Sequence, residues 1–256
     1  MAQLTQTSTL DDGTVQAQWK RLYRLGGAFA LAAAVLFLSD IVVMTAGGLM
    51  GPASAGEWFA LMQRDRLAGV LDLFFSDLLG LALLIPFAFS LYHILRRANP
   101  VCAALAAIAF FVGLGIVFAV NPNYSLLALH ERYAAAGSEA ERAQILAAAD
   151  ALLTSGMQGT GLFMSGLLIE SALLGFSALM LGERAFGKGI GWLGIAAHGL
   201  DCLHSLVLLV LLPVLGSEPA WTIGGLLLAV GGTFQLVWYP WGAFRLFRLA
   251  AGHQTH

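Results

Sequence analysis

Hydrophobic residues along this chain of 256 residues gather into long runs separated by short polar joints. The runs occupy about 25–49, 67–95, 101–120, 159–181, 190–215 and 221–244. Each is near the roughly 20 residues that a helix needs to cross bilayer hydrocarbon. A backbone in lipid has to satisfy its own hydrogen bonds, so each run predicts a transmembrane α-helix. The fold class is therefore all-α, a polytopic membrane bundle of six transmembrane helices. Pro86 predicts a kink in the second, and the third carries no charge at all.

The one long joint, 121–158, predicts a helical loop between spans three and four. Leu126, Leu127, Leu129 and Tyr133 line a first short helix, and Gly137 breaks it. Ser138 and Glu141 form an S-x-x-E capping box for a second, whose apolar face is Ile145, Leu146, Ala149, Leu152 and Leu153. Such a hairpin lies on the membrane surface or over the bundle mouth, and a packed connector is a plainer reading than a moving lid. Residues 1–18 read as a flexible polar tail, 19–249 as a single transmembrane domain and 250–256 as a short tail.

Composition agrees. The chain is 59% hydrophobic and 11% charged, with a mean hydropathy of +0.79, against the roughly 25% charge of soluble domains. No basic cluster is dense enough for nucleic acid. No Walker, Rossmann, kinase, G-x-S-x-G or zinc-finger motif is present. Cys102 and Cys202 fall inside apolar runs, so reduced thiols are expected. The polar N-terminus lacks a signal peptide's apolar run, so the first span is expected to be retained.

Nine of the thirteen Lys and Arg residues fall on one side: Lys20, Arg21, Arg24, Arg96, Arg97, Arg184, Lys188, Arg245 and Arg248. Arg64, Arg66, Arg132 and Arg142 fall on the other. The excess predicts an inner cell membrane protein with both termini cytoplasmic. Trp19, Tyr23, Tyr92, Trp192, Trp238, Tyr239 and Trp241 are expected at the inner interface, and Trp58 and Trp221 at the outer one.

The opening RLYRLGGAFALAAAVLFL, the NPNY and HERYAAAGSEAERAQILAAADALL segments of the loop, and GWLGIAAHGL in the fifth span resemble a bacterial family of six-span membrane proteins. That family is known as a domain of unknown function, and the similarity covers about residues 20–250. The resemblance implies the six-helix layout. It implies no reaction, substrate or catalytic residue, and the family pattern does not require the histidines and aspartate described next.

The fifth span is long enough to cross a bilayer, yet it carries His198, Asp201 and His204 at three-residue steps, with Cys202 and Ser205 alongside. On a helix these groups form a stripe about 120° wide. Asp40, Asp72, Asp77 and Glu170 are further acids within or at the edge of spans. Each acid at a helix centre costs roughly 2.5–3.5 kcal/mol, so several together imply a partner or a purpose. Counted inward from the outer ends, Asp40, Asp77, Glu170, Asp201 and His204 share one band from the midplane to the outer third. Helices one, two, four and five are expected to enclose one polar pocket, with three and six as walls and Gln235 as a candidate partner from the sixth. Asp72 reads as a solvated end residue and His93 as an interfacial group contacting headgroups or a carbonyl. Asn121 and Asn123 read as a turn, and His253 and His256 as incidental. No two histidines match in depth as a bis-His haem pair requires. Gly161/Ser165, Ser171/Gly175, Gly224, Gly225, Gly231 and Gly232 predict close helix approach.

Clustered carboxylates without Lys or Arg share a proton or hold a cation. The favoured reading is an outer-facing pocket of Asp40, Asp77, Glu170, His198, Asp201 and His204 that binds or transports a proton, cation or small polar molecule. The partners expected are the bilayer and that ligand, with no nucleic acid and no cofactor beyond a bound cation. An alternative is an intramembrane metal-dependent enzyme of lipid hydrolase type, with His198, Asp201 and His204 near the metal and Glu170 or Asp77 completing the set. Steps of three spread the imidazoles wider than the i, i+4 pair of H-E-x-x-H, so a non-enzyme is favoured. A second alternative is an accessory subunit whose polar groups only fix helix packing.

Overall fold

The computed structural model describes residues 12–46, 54–67, 69–70, 78–157, 159–215 and 217–252. Helix α1 runs Asp12–Ala46, α2 Ala55–Arg64, α3 Gly80–Leu95, α4 Pro100–Val120 and α5 Asn123–Ala135. Then come α6 Glu139–Met157, α7 Thr160–Met180, α8 Lys188–Leu215 and α9 Ser217–Ala250. Five helices are long and apolar enough to cross a membrane, and α3 is a shorter apolar one of 16 residues. The chain is an all-α polytopic membrane bundle.

Sequential neighbours pack in order: α1 on α3, α3 on α4, α4 on α7, α7 on α8 and α8 on α9. Helix α9 then returns to α1, so the bundle is a closed up-and-down ring. Lipid tails are as apolar as the side chains, so close van der Waals contact has to hold the helices together. Gly26 and Gly27 allow this at the seam. A Cβ on Gly26 would strike Ser90 Oγ and the Pro86 carbonyl of α3, and one on Gly27 would strike Phe247 and the Ala243 carbonyl of α9. The large buried side chains Leu84, Phe87, Leu91, Phe110, Leu173, Phe176, Trp238 and Tyr239 belong to the ring's common core.

Three expectations change. The supposed tail from Asp12 to Gln18 is the start of α1. The second span is helical over Gly80–Leu95, while residues 71–77 lie outside the described residues. Trp238 and Tyr239, expected as part of an interfacial belt, are turned into the ring's core at 0% and 2% exposure.

The loop forms the two predicted helices, α5 and α6. The Glu141 amide donates to Ser138 Oγ at 3.3 Å, and Glu141 Oε2 accepts from the Gly137 amide at 3.1 Å. The hairpin packs against α2, where Trp58, Phe59 and Met62 are buried on Leu126, Ile145 and Ala149. Trp58 sits in this cluster at 5% exposure. Helix α2 carries its own S-x-x-E start: the Glu57 amide donates to Ser54 Oγ at 3.3 Å. Asp150 of α6 adds a second cap by accepting from the Ala55 amide at 2.7 Å.

Removing that carboxylate in Asp150→Ala is expected to cost about 1–2 kcal/mol. Amide hydrogen exchange over residues 55–64 should quicken while exchange in α7 and α8 holds. Unchanged exchange in α2 would show the cap to be idle.

His130 of α5 is buried, edge-on to Phe59 at 5.4 Å, and neither ring nitrogen has a hydrogen-bond partner among the described residues. Burial lowers its pKa below the ordinary value of 6.5. Glu131 opposes this and Arg66 adds to it. The unfolded state then binds the proton more readily than the folded one, so this packing is fully stable above about pH 6.5 and weakens as the pH falls. Emission from Trp58 should shift red between about pH 7 and pH 5, and His130→Phe should suppress the shift.

Candidate functional site

The site is built where α7, α8 and α9 meet. Each supplies polar groups from one face: Glu170 from α7, His198 and Asp201 from α8, Gln235 from α9. His198 Nδ1 lies 2.7 Å from Glu170 Oε2. With Glu170 ionised, its oxygen accepts and the imidazole proton sits on Nδ1. The Gln235 amide donates one N–H to the same Glu170 Oε2 at 3.2 Å and the other to Asp201 Oδ2. One neutral amide thus joins two carboxyl groups on two helices. Asp201 Oδ1 and His198 Nε2 have no hydrogen-bond partner among the described residues.

Aromatic rings wall the cluster toward the end that bears the chain termini. His198 is fully buried, edge-on to Trp238 at 4.6 Å and to Tyr239 at 6.2 Å. Trp238 in turn meets Phe87 of α3 edge-on at 5.5 Å. Gly231, Gln235 and Trp238 stand at i, i+4 and i+7, so one stripe of α9 faces α8. Gly231 is required there because a Cβ would overlap Asp201 Oδ1 and Cγ.

Toward the hairpin end the cluster opens into a cavity of about 300 Å³. Glu170 and Asp201 line its deep end, His204 and Ser205 its side, and Asn121, Pro122 and Gly156 its mouth. The walls are apolar, with Val117, Phe163, Ile169 and Leu208 among them. An apolar shaft with few polar groups at its floor has the usual character of a small-ligand site.

The expected residues divide as follows. Glu170, His198 and Asp201 come together. His204 lines the same cavity but is hydrogen bonded through Nδ1 to the Gly224 carbonyl of α9 at 2.8 Å. It is thus turned away from His198, and the three-residue stripe does not act as one metal face. Among the described residues no three His, Cys, Asp or Glu side chains gather as a metal ion requires. Asp77 and the side chain of Asp40 lie outside the described residues, as do Asp72, His253, His256 and the side chain of Trp221.

The sixth span is not a mere wall: its Gln235 is the group that joins the acids. The third contributes Val117 and Asn121 to the cavity, and among the described residues the first contributes none of its lining. Gly224 and Gly231 face α8 closely, whereas nothing lies within 4 Å of a Cβ on Gly225 or Gly232. Asn121 Oδ1 accepts from the Asn123 amide at 3.0 Å, the turn that the sequence predicts. His93 is hydrogen bonded to the Tyr23 hydroxyl at 2.7 Å and stacked on Trp19.

The comparisons with known proteins bear on the whole chain. The model of the family described as a domain of unknown function (DUF4386) matches residues 25–241. The chain belongs to this family. No curated protein and no solved structure matches it. Membership in DUF4386 covers all the residues of the cluster and assigns none of them a role.

The two glycine faces give a paired test. Gly231→Ala drives a methyl into Asp201 and should cost about 1–3 kcal/mol. Gly232→Ala meets open space and should be neutral or stabilising by up to about 1 kcal/mol. Melting of the purified protein in detergent reads both, and equal effects would remove Gly231 from the site.

Proposed function

We propose that this DUF4386 protein binds or transports a proton or small cation at the Glu170–Asp201 pair, reached through the cavity from the hairpin end. The carrying observation is the unfilled Asp201 Oδ1 beside Glu170 at the floor of an otherwise apolar shaft. Two carboxyl groups joined by a neutral amide and an imidazole have no Lys or Arg to balance them. A shared proton or a cation supplies the balance, and losing or gaining it changes the charge of the floor by one unit. His198 holds Glu170 in place through Nδ1 and offers Nε2 as a proton carrier. His204, fixed by the Gly224 carbonyl, lines the approach.

In this reading the second span crosses as the sixth membrane helix, with α3 forming its inner part. The excess of Lys and Arg at the termini end supports cytoplasmic termini and an outward hairpin in the inner cell membrane. A passing proton or cation then enters from outside, passes Ser205 and His204, and stops at the acids.

The polar cluster also supports a plainer reading, in which the Gln235 bridge serves only to lock α7, α8 and α9 together. Proteoliposomes loaded with a pH-sensitive dye and placed under a pH gradient separate the two. Proton or monovalent cation flux should fall about tenfold or more in Glu170→Gln and Asp201→Asn, the loss of one ionic contact of at least 1.4 kcal/mol. Folding in detergent should hold for these isosteric variants. Loss of stability with no wild-type flux to lose would leave the packing role alone.

A further inference from the structure

A second cavity of about 300 Å³ lies at the opposite end, inside the ring. Four parts of the chain line it: α1 with Trp19, Lys20 and Tyr23, α3 with His93 and the following Arg97, the α7–α8 connection with Glu183, and the end of α9 with Leu249 and Gly252. Lys20 and Arg97 have no ion-pair partner among the described residues, and neither does Glu183. The wall behind them is rigid. The Trp19 and His93 rings stack at 3.3 Å and 9°, and Tyr23 holds His93 by its hydroxyl. The Arg96 guanidinium covers the outer face of this stack, 5.8 Å from the Trp19 ring and 5.9 Å from that of Tyr92. Arg96 is therefore committed to the wall, while Lys20 and Arg97 are left to the cavity.

We infer that this cavity binds a phosphodiester with a hydroxyl-bearing substituent, as in an anionic glycerol-type lipid headgroup. Two cations on a preformed aromatic wall match one phosphate, with Arg97 suited to bidentate contact and Lys20 to a point contact. Glu183 lines the same cavity, and its carboxylate can accept from a headgroup hydroxyl. The charges then close: two positive groups from the protein, one negative from Glu183 and one from the phosphate. An ammonium-bearing headgroup leaves one positive charge unbalanced. The volume fits a headgroup and excludes acyl chains, which have to leave between helices into the leaflet. A basic pocket between helices at the membrane surface is a known form of headgroup recognition. The site is remote from the Glu170–Asp201 cluster, and the inference does not depend on the transport reading.

The test uses the full chain, purified in neutral detergent and stripped of lipid. Melting is followed on adding phosphatidylglycerol, phosphatidylcholine, or glycerol 3-phosphate without lipid, with retained lipid read by native mass spectrometry. Phosphatidylglycerol should raise the melting temperature more than phosphatidylcholine. Lys20→Ala/Arg97→Ala should bind it about tenfold more weakly, as expected for losing charge-assisted contacts. Arg21→Ala/Arg24→Ala, which removes two exposed charges outside the cavity, should leave binding unchanged. Saturation by glycerol 3-phosphate alone would support the phosphate site and assign it to a soluble ligand. Equal losses in the two double variants, or equal shifts with phosphatidylcholine, would overturn it. If the cavity double variant fails to fold, Arg97→Gln, an exposed side chain, carries the same comparison.

Discussion

The amide of Gln235 lies between two carboxyl groups that would otherwise face each other across apolar surroundings. That contact ties α9 to α7 and α8 at one point, and the rest of the site is arranged around it. Glu170 Oε2 accepts from both Gln235 and His198, which sets the imidazole's tautomer and turns its other nitrogen away. Asp201 reaches the amide only because residue 231 has no side chain. In lipid, where apolar contact gives helices no advantage over solvent, such polar bridges and close approaches determine which faces meet.

The two ends of the ring differ in kind. At the hairpin end the interior opens, with sparse polar groups on an apolar shaft. Toward the termini the interior fills with Phe87, Trp238 and Tyr239, and then opens again onto Lys20 and Arg97. The aromatic layer separates two cavities of similar volume and opposite chemistry. Carboxyl groups face one and cations the other. Helix α2 and the hairpin form a separate apolar cluster at the first cavity's end, capped through Asp150 and not through ion pairs, which are exposed and weak.

Much of this was legible in the residue pattern, for identifiable reasons. Apolar runs reveal spans because lipid enforces both length and composition. The Ser138–Glu141 box revealed α6 because a cap is a local bond. Glu170 and Asp201 could be paired by depth because acids in hydrocarbon seek company. Gln235 was visible as a partner, but its central place was not, since rotation about α9 is set by packing. Gly231, Gln235 and Trp238 at i, i+4 and i+7 were the signal that places all three on one face. Helix α2 was overlooked although Ser54 and Glu57 repeat the same capping spacing. Its apolar face is short, and only the hairpin, far along the chain, gives it something to cover. The stack of Trp19 on His93 joins residues too distant in sequence for any spacing rule.

Ring order also bears on how the protein is made. Each helix of the ring packs on the ring helix synthesised before it, so most of the bundle can assemble as it leaves the ribosome. The seam between α1 and α9 is the exception. The Gly27 surface of α1 stays open to lipid until α9 arrives, and Phe247 completes the circle only once α9 has been translated. Closure of the ring therefore waits for α9. A chain that stops short of α9 lacks not only Gln235 but the clasp that turns a row of helices into an enclosure.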